Sequence, residues 1–302
     1  MNAGRSIAKT VLLLLPLQIV FRGLEGLLPV ILAILFGRGE TTDVYYFAWA
    51  VFALAGSLVF SAFHDSAVVP ILGEVKLRDP VSLPIVRGSL LAHTLAIASA
   101  LSVTIGTLAA GWLAIRYTGA ARTAALWMTV PFAVYLVALS VKTFFASILN
   151  AEHLYGPLPV ASALGALTTL AVIAALRQLL SVVAIPCGSL AGELVSVGVL
   201  AASARTRGIA IVPTFARPEP VHRIARLVTS EVAGGAVTRL NPVVDQLMAA
   251  LAGIAGAGTM LKLSGDVAMV PTSLLQAALL PVLLSHLSDD FAAGRIAKLR
   301  ST

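Results

Sequence analysis

Apolar runs of about 20 residues or more recur from one end of this chain to the other, and that is the length at which a helix crosses the hydrocarbon of a bilayer. Lipid offers no partner to an exposed backbone N–H or C=O, so only helices and closed barrels span it. The runs are continuous rather than alternating, which excludes a barrel. Composition agrees: 58% of residues are hydrophobic and only 12% are charged, whereas a soluble domain carries roughly a quarter charged residues. The predicted fold class is therefore all-α, a polytopic membrane protein of about eight transmembrane helices.

The expected spans cover residues 7–36, 45–72, 83–115, 121–149, 158–176, 179–204, 226–255 and 259–287. Arg177 and Gln178 mark the tight connection between the fifth and the sixth. The N-terminal run resembles a signal peptide but has no clean small-residue cleavage site and continues past Arg22, so it reads as a retained first helix. Residues 1–204 form a six-helix membrane lobe. Residues 205–226 are a basic linker with Pro213, Pro218 and Pro220, and residues 227–302 are a helix pair of an incomplete second lobe. Lys and Arg collect on one side: with the N-terminus inside, the inner segments hold Lys76, Arg78, Arg87, Arg205, Arg207, Arg217, Arg223 and others. Both termini are then expected in the cytoplasm. The same bias explains the net charge of +7 without nucleic acid, and it makes anionic lipid a partner of the basic loops.

Enzyme chemistry has no support in the sequence. There is no P-loop spacing and no H-E-x-x-H pair for zinc. Cys187, the one cysteine, lies in apolar AIPCGSL, where an inert structural thiol is expected. No cofactor or metal is predicted.

The informative residues are ionisable groups inside apolar runs, where burial is costly and a cavity or partner is required. Arg22 and Glu25 share a face of the first helix three residues apart. They read as a structural ion pair or as a cation poised to bind an anionic group, for which a guanidinium is suited. His64 and Asp65 are an adjacent imidazole and acid, read as an interfacial helix end or as a proton relay. Arg239, Asp245 and Asp266 form a second polar set for ion or proton coupling. Lys142 is expected to snorkel toward the interface.

Three stretches are similar to a known family. FGRGETTDVYYFAWAVFALAGSLVFSAFHDSAVVPIL, FFASILNAEHLYGPLPVASAL, and NPVVDQLMAALAGIAGAGTM followed by PTSLLQAALLPVLLSHLS resemble the MviN/MurJ family of lipid-linked oligosaccharide flippases. That family lies in the multidrug/oligosaccharidyl-lipid/polysaccharide exporter superfamily. The resemblance implies a two-lobed all-α membrane protein of the bacterial inner membrane. Its substrate would be an undecaprenyl-pyrophosphate-linked saccharide, moved outward by alternating access. Family members run to about fourteen helices, and this sequence ends after about eight. Of the cavity arginines the family implies, Arg22 matches the first, while the following positions hold Leu28, Gly56 and, in the eighth span, Asp266. The acidic residue of the TD pair is kept as Asp43, which the resemblance places with Arg22 and Glu25 among the substrate-binding residues. Two alternatives remain open. One is a shortened, non-transporting paralogue that acts as a membrane partner in envelope synthesis, with a second copy or a complementary half-protein. The other is a drug or cation antiporter of the same superfamily.

Overall fold

The computed structural model describes residues 27–56, 67–152 and 154–269, with only the backbone described at 236–239. Among these residues every regular element is helical. The elements are α1 (Leu27–Phe36), α2 (Glu40–Gly56), α3 (Val69–Arg78), α4 (Leu83–Arg116), α5 (Gly119–Ala151), α6 (Pro157–Leu180), α7 (Ala184–Thr206), α8 (Glu219–Leu251) and α9 (257–269). Among the described residues three stretches are long and apolar enough to cross a membrane: Leu83–Arg116, Gly119–Ala151 and Pro157–Thr206. The last holds two helices, because a single 3-10 turn, Ser181–Val183, folds α7 back on α6. The chain is thus an all-α polytopic membrane protein.

The α6–α7 reversal falls three residues beyond the Arg177–Gln178 pair. Both are good helix formers, so α6 runs through them to Leu180, and Ser181 makes the turn at a φ of 49°. The hairpin is zipped by small residues in antiparallel register. A Cβ added at Gly165 would lie 2.2 Å from Ser196 Oγ, and one at Gly192 would lie 2.1 Å from Thr169 Oγ1. The Ser196 hydroxyl donates to Ala161 O across the seam at 3.0 Å. Without a hydrophobic driving force between helices in lipid, this close backbone approach is what binds them. The α4–α5 pair is antiparallel as well, joined by the Ser102 hydroxyl on Ala133 O at 2.5 Å.

The elements define two ends. One carries the α1–α2 turn, the α4–α5 turn, the α6–α7 turn and the α8–α9 turn. The other carries the α3–α4 turn, the α5–α6 turn, the segment 207–218 and the start of α8. The second is the basic end, with Lys76, Arg78, Arg87, Arg205, Arg207, Arg217, Arg223 and Arg226. An aromatic-rich core of Tyr45, Phe47, Phe52, Met128, Phe132 and their neighbours fills the half nearer the first end. Toward the basic end a second core joins Ile71, Leu72, Val86, Phe144 and Ile148 to Val221 and Ile224 of α8. Segment 207–218 crosses the basic end as an extended strap, with Ile209 and Ile211 packed on the cores beneath. The expected linker, 205–226, therefore corresponds to the end of α7, the strap and the first two turns of α8.

Candidate functional site: the Asp43 clasp

Asp43 lies in the first turn of α2 and is buried. Its carboxylate receives hydrogen bonds from the α8–α9 turn: Gly256 N–H on Oδ2 at 2.6 Å, and Thr259 N–H and the Thr259 hydroxyl on Oδ1 at 2.8 and 2.7 Å. These amides stand at the N-terminus of α9, where the first turn has no intrahelical acceptors and the helix dipole favours negative charge. A carboxylate more than 200 residues away in sequence thus caps α9. Gly256 sits at a φ of 88°, a conformation glycine adopts readily. Gln246 on α8 donates to Gly258 O at 3.3 Å and braces the same turn.

The other half of the turn is held by the opposite charge. Arg116, at the end of α4, donates to Ala250 O in the last turn of α8 at 2.6 Å. A cation on the α8 C-terminal carbonyls and an anion on the α9 N-terminal amides both match the helix dipoles. The turn between α8 and α9 is therefore clasped from α2 and α4 together.

The basic end is tied differently. Glu152, just past α5, pairs with Lys76 of α3 at 2.5 Å and with Arg87 of α4. Burial works against ionisation of Glu152, but Lys76 and Arg87 outweigh it and hold the carboxyl below its usual range. Glu74 of α3 pairs with Arg78 at 2.8 Å and with Arg223 of α8 at 3.1 Å. Its hydrogen bond from Arg223 keeps Glu74 below the usual range too.

Between the ends, Lys142 of α5 meets Glu193 of α7 at 3.0 Å. Lys142 was expected to snorkel, but a partner within reach makes the ion pair the better exit from apolar surroundings. Glu193 was missed, yet the signal was present: it is the lone charged residue of its span before Arg205, as Lys142 is of α5 beyond Arg122. Arg116, Glu152 and Thr259 were likewise not singled out. They sit at helix ends, where a polar residue is unremarkable in sequence.

Of the residues singled out from sequence, Asp43 forms the clasp. Asp266 pairs with Lys262 one turn before it on α9. Asp245 is exposed on α8, on a stretch that also exposes Val244 and Met248. Asp43 and Asp245 do not join in one cluster: the carboxylate of Asp43 is taken up by α9 donors. Arg22, Glu25, His64 and Asp65 lie outside the described residues, as does the side chain of Arg239.

This arrangement ties a helix at the start of the chain to a helix turn near its end. A family model described as lipid II flippase MurJ matches residues 32–302. The chain belongs to that family. The matched region begins within α1 and includes α2, the strap, α8 and α9, so both sides of the clasp fall inside it. Its members are membrane transporters of lipid-linked peptidoglycan precursors rather than enzymes. No individually curated protein matches the chain.

Proposed function

We propose that this protein carries an undecaprenyl-pyrophosphate-linked saccharide from the cytoplasmic to the outer leaflet of the bacterial inner membrane by alternating access. The basic end is the cytoplasmic face, in keeping with the bias of Lys and Arg toward that side. The observation that carries the reading is the clasp. Asp43, Arg116 and the α8–α9 turn close the outer face in this state, and opening it exchanges protein hydrogen bonds for water. Arg22 engages the pyrophosphate and Glu25 sets its orientation. Asp245, on the exposed side of α8, faces the water of the pathway. An acid left to lipid at the bilayer centre would cost on the order of 2.5–3.5 kcal/mol.

The test is translocation of a fluorescent undecaprenyl-pyrophosphate saccharide in proteoliposomes. Transport by the native chain that falls at least tenfold in Arg22→Ala and in Asp43→Asn supports the proposal. Transport unaffected by either substitution would count against both assignments.

The exposure of Asp245 among apolar residues also fits a second reading, in which α8 docks against another copy or a complementary half-protein. Cysteines at Ala249 and Ala257 would crosslink between chains in native membranes in that case. Strictly monomeric behaviour with full transport excludes it.

A further inference from the structure

The strap is docked along the first three turns of α4 by a short series of polar contacts. Val212 N–H donates to Pro84 O at 3.0 Å. Gly88 lets the strap come close: a Cβ there would lie 1.7 Å from Val212 O. The Ser89 hydroxyl donates to Ala216 O at 2.5 Å. The last contact before α8 begins is Arg217 Nε–H on His93 Nε2 at 3.2 Å, with the Phe215 ring edge-on to the imidazole at 6.0 Å.

The contacts of the two ring nitrogens select one tautomer of a neutral His93. Its Nδ1 lies 2.8 Å from Ser89 O. A carbonyl only accepts, so Nδ1 carries the proton. Arg217 only donates, so Nε2 must be the unprotonated nitrogen. A second proton on the ring would set N–H against N–H and cation against cation. We infer that His93 is a proton-sensitive latch: neutral, it holds the end of the strap and the start of α8 on α4, and protonated, it releases them.

Among the described residues no carboxylate pairs with the imidazole. On the strap the facing charge is Arg217. On α5 the residue at this level is Lys142, committed to Glu193 of α7. At this end Glu152 is held by Lys76 and Arg87, Glu74 by Arg78 and Arg223, and Glu219 by Arg223. Asp79 receives Ser82 N–H. The strap is the covalent link from α7 to α8, so its docking sets how freely the start of α8 moves against α4. The latch follows from the strap geometry whether or not the chain transports.

Hydrogen–deuterium exchange on the full chain in phospholipid nanodiscs tests it, following peptides that cover 209–218 at pH 7.5 and pH 5.5 and correcting for intrinsic rates. Histidine ordinarily changes charge between these values. The native strap should exchange about three- to tenfold faster at pH 5.5, the size of one lost solvent-exposed hydrogen bond of ordinary strength. His93→Gln keeps an acceptor that does not titrate, so its strap stays protected at both pH values. His93→Lys mimics the charged ring and exchanges fast at both. Gly88→Val frees the strap irrespective of pH and calibrates the released state. His222→Gln, on α8, should retain the native pH step. No step in the native chain, an undiminished step in His93→Gln, or loss of the step in His222→Gln overturns the latch.

Discussion

Replacing Asp43 by Asn isolates the electrostatics of the clasp, because the amide is nearly isosteric with the carboxylate. Its oxygen can still accept from Thr259 N–H and the Thr259 hydroxyl, but as a neutral acceptor. Hydrogen bonds to a charged group contribute about 1.5–3 kcal/mol against about 0.5–1.5 for neutral ones, so about 1 kcal/mol is lost on each. The bond to Gly256 N–H, 2.6 Å in the native clasp, becomes donor against donor, which costs about 1–3 kcal/mol. Removing a buried charge returns some desolvation energy. The net is about 2–3 kcal/mol in favour of the open clasp, or about 30- to 150-fold in population. Thr42 reports that population. It is 1% exposed and its hydroxyl has no partner in the structure, so Thr42→Cys in a Cys187→Ala background removes no hydrogen bond. Labelling by a membrane-impermeant maleimide then proceeds only through open molecules. Asp43→Asn should raise the labelling rate by about 30-fold or more. An unchanged rate would show that the carboxylate does not hold the clasp shut.

Three further outcomes follow from the same structure. Gly165→Ala and Gly192→Ala place a methyl 2.7 Å and 2.4 Å from the facing backbone carbonyl and should each cost about 1–3 kcal/mol in thermal unfolding. Gly198→Ala meets nothing within 4 Å and should be neutral or stabilising. Because the folded-state values of Glu152 and Glu74 are lowered, their contribution to stability is present above the unfolded carboxylate range near pH 4.3 and is lost as pH falls through the folded values. In a His93→Gln background, which removes the histidine step, melting monitored by tryptophan fluorescence should stay flat from pH 6 to about 5 and fall below about 4, and Glu152→Gln should blunt the fall. Finally, Lys142→Met or Glu193→Met alone should destabilise by about 3–5 kcal/mol by breaking a partly buried charge pair, and the double substitution should recover most of that loss.

The helical architecture was legible because lipid simplifies the problem: continuous apolar runs permit one kind of element. The α4 and α5 boundaries lie close to the expected spans for that reason. The α6–α7 turn was misplaced because a polar pair was read as a break, although Arg and Gln extend a helix readily. Asp43 was found through resemblance, not through its surroundings. A TD pair at a helix start reads as a local cap, and nothing local reveals that its acceptors serve α9. Lys142 and Glu193 show the complementary failure. Each was visible as a lone charge in its span, but their pairing required the α5–α7 neighbourhood, which sequence order does not supply. The strap was legible as basic and proline-rich, whereas its docking depends on Gly88, one glycine among many in the chain.

The two attachments of α8 differ in kind, and that difference supports an assignment of roles under alternating access. Its start is embedded: Val221 and Ile224 belong to the core that holds Ile71, Val86 and Phe144, and the strap and Arg223 reinforce it. Apolar burial is non-directional, so small rotations of α8 about this end preserve most of it. Its far end is held by directional bonds, from Asp43 to α9 and from Arg116 to Ala250. Such bonds weaken steeply with angle and are replaced by water when the turn swings outward. Leu247, packed on the aromatic-rich core, is the apolar contact that this swing must give up. A helix with a greasy pivot at one end and a polar catch at the other opens at the catch. On this reasoning, and under the proposed mechanism, the basic end of α8 is the pivot, tuned by the strap, and the clasped end is where the pathway would open.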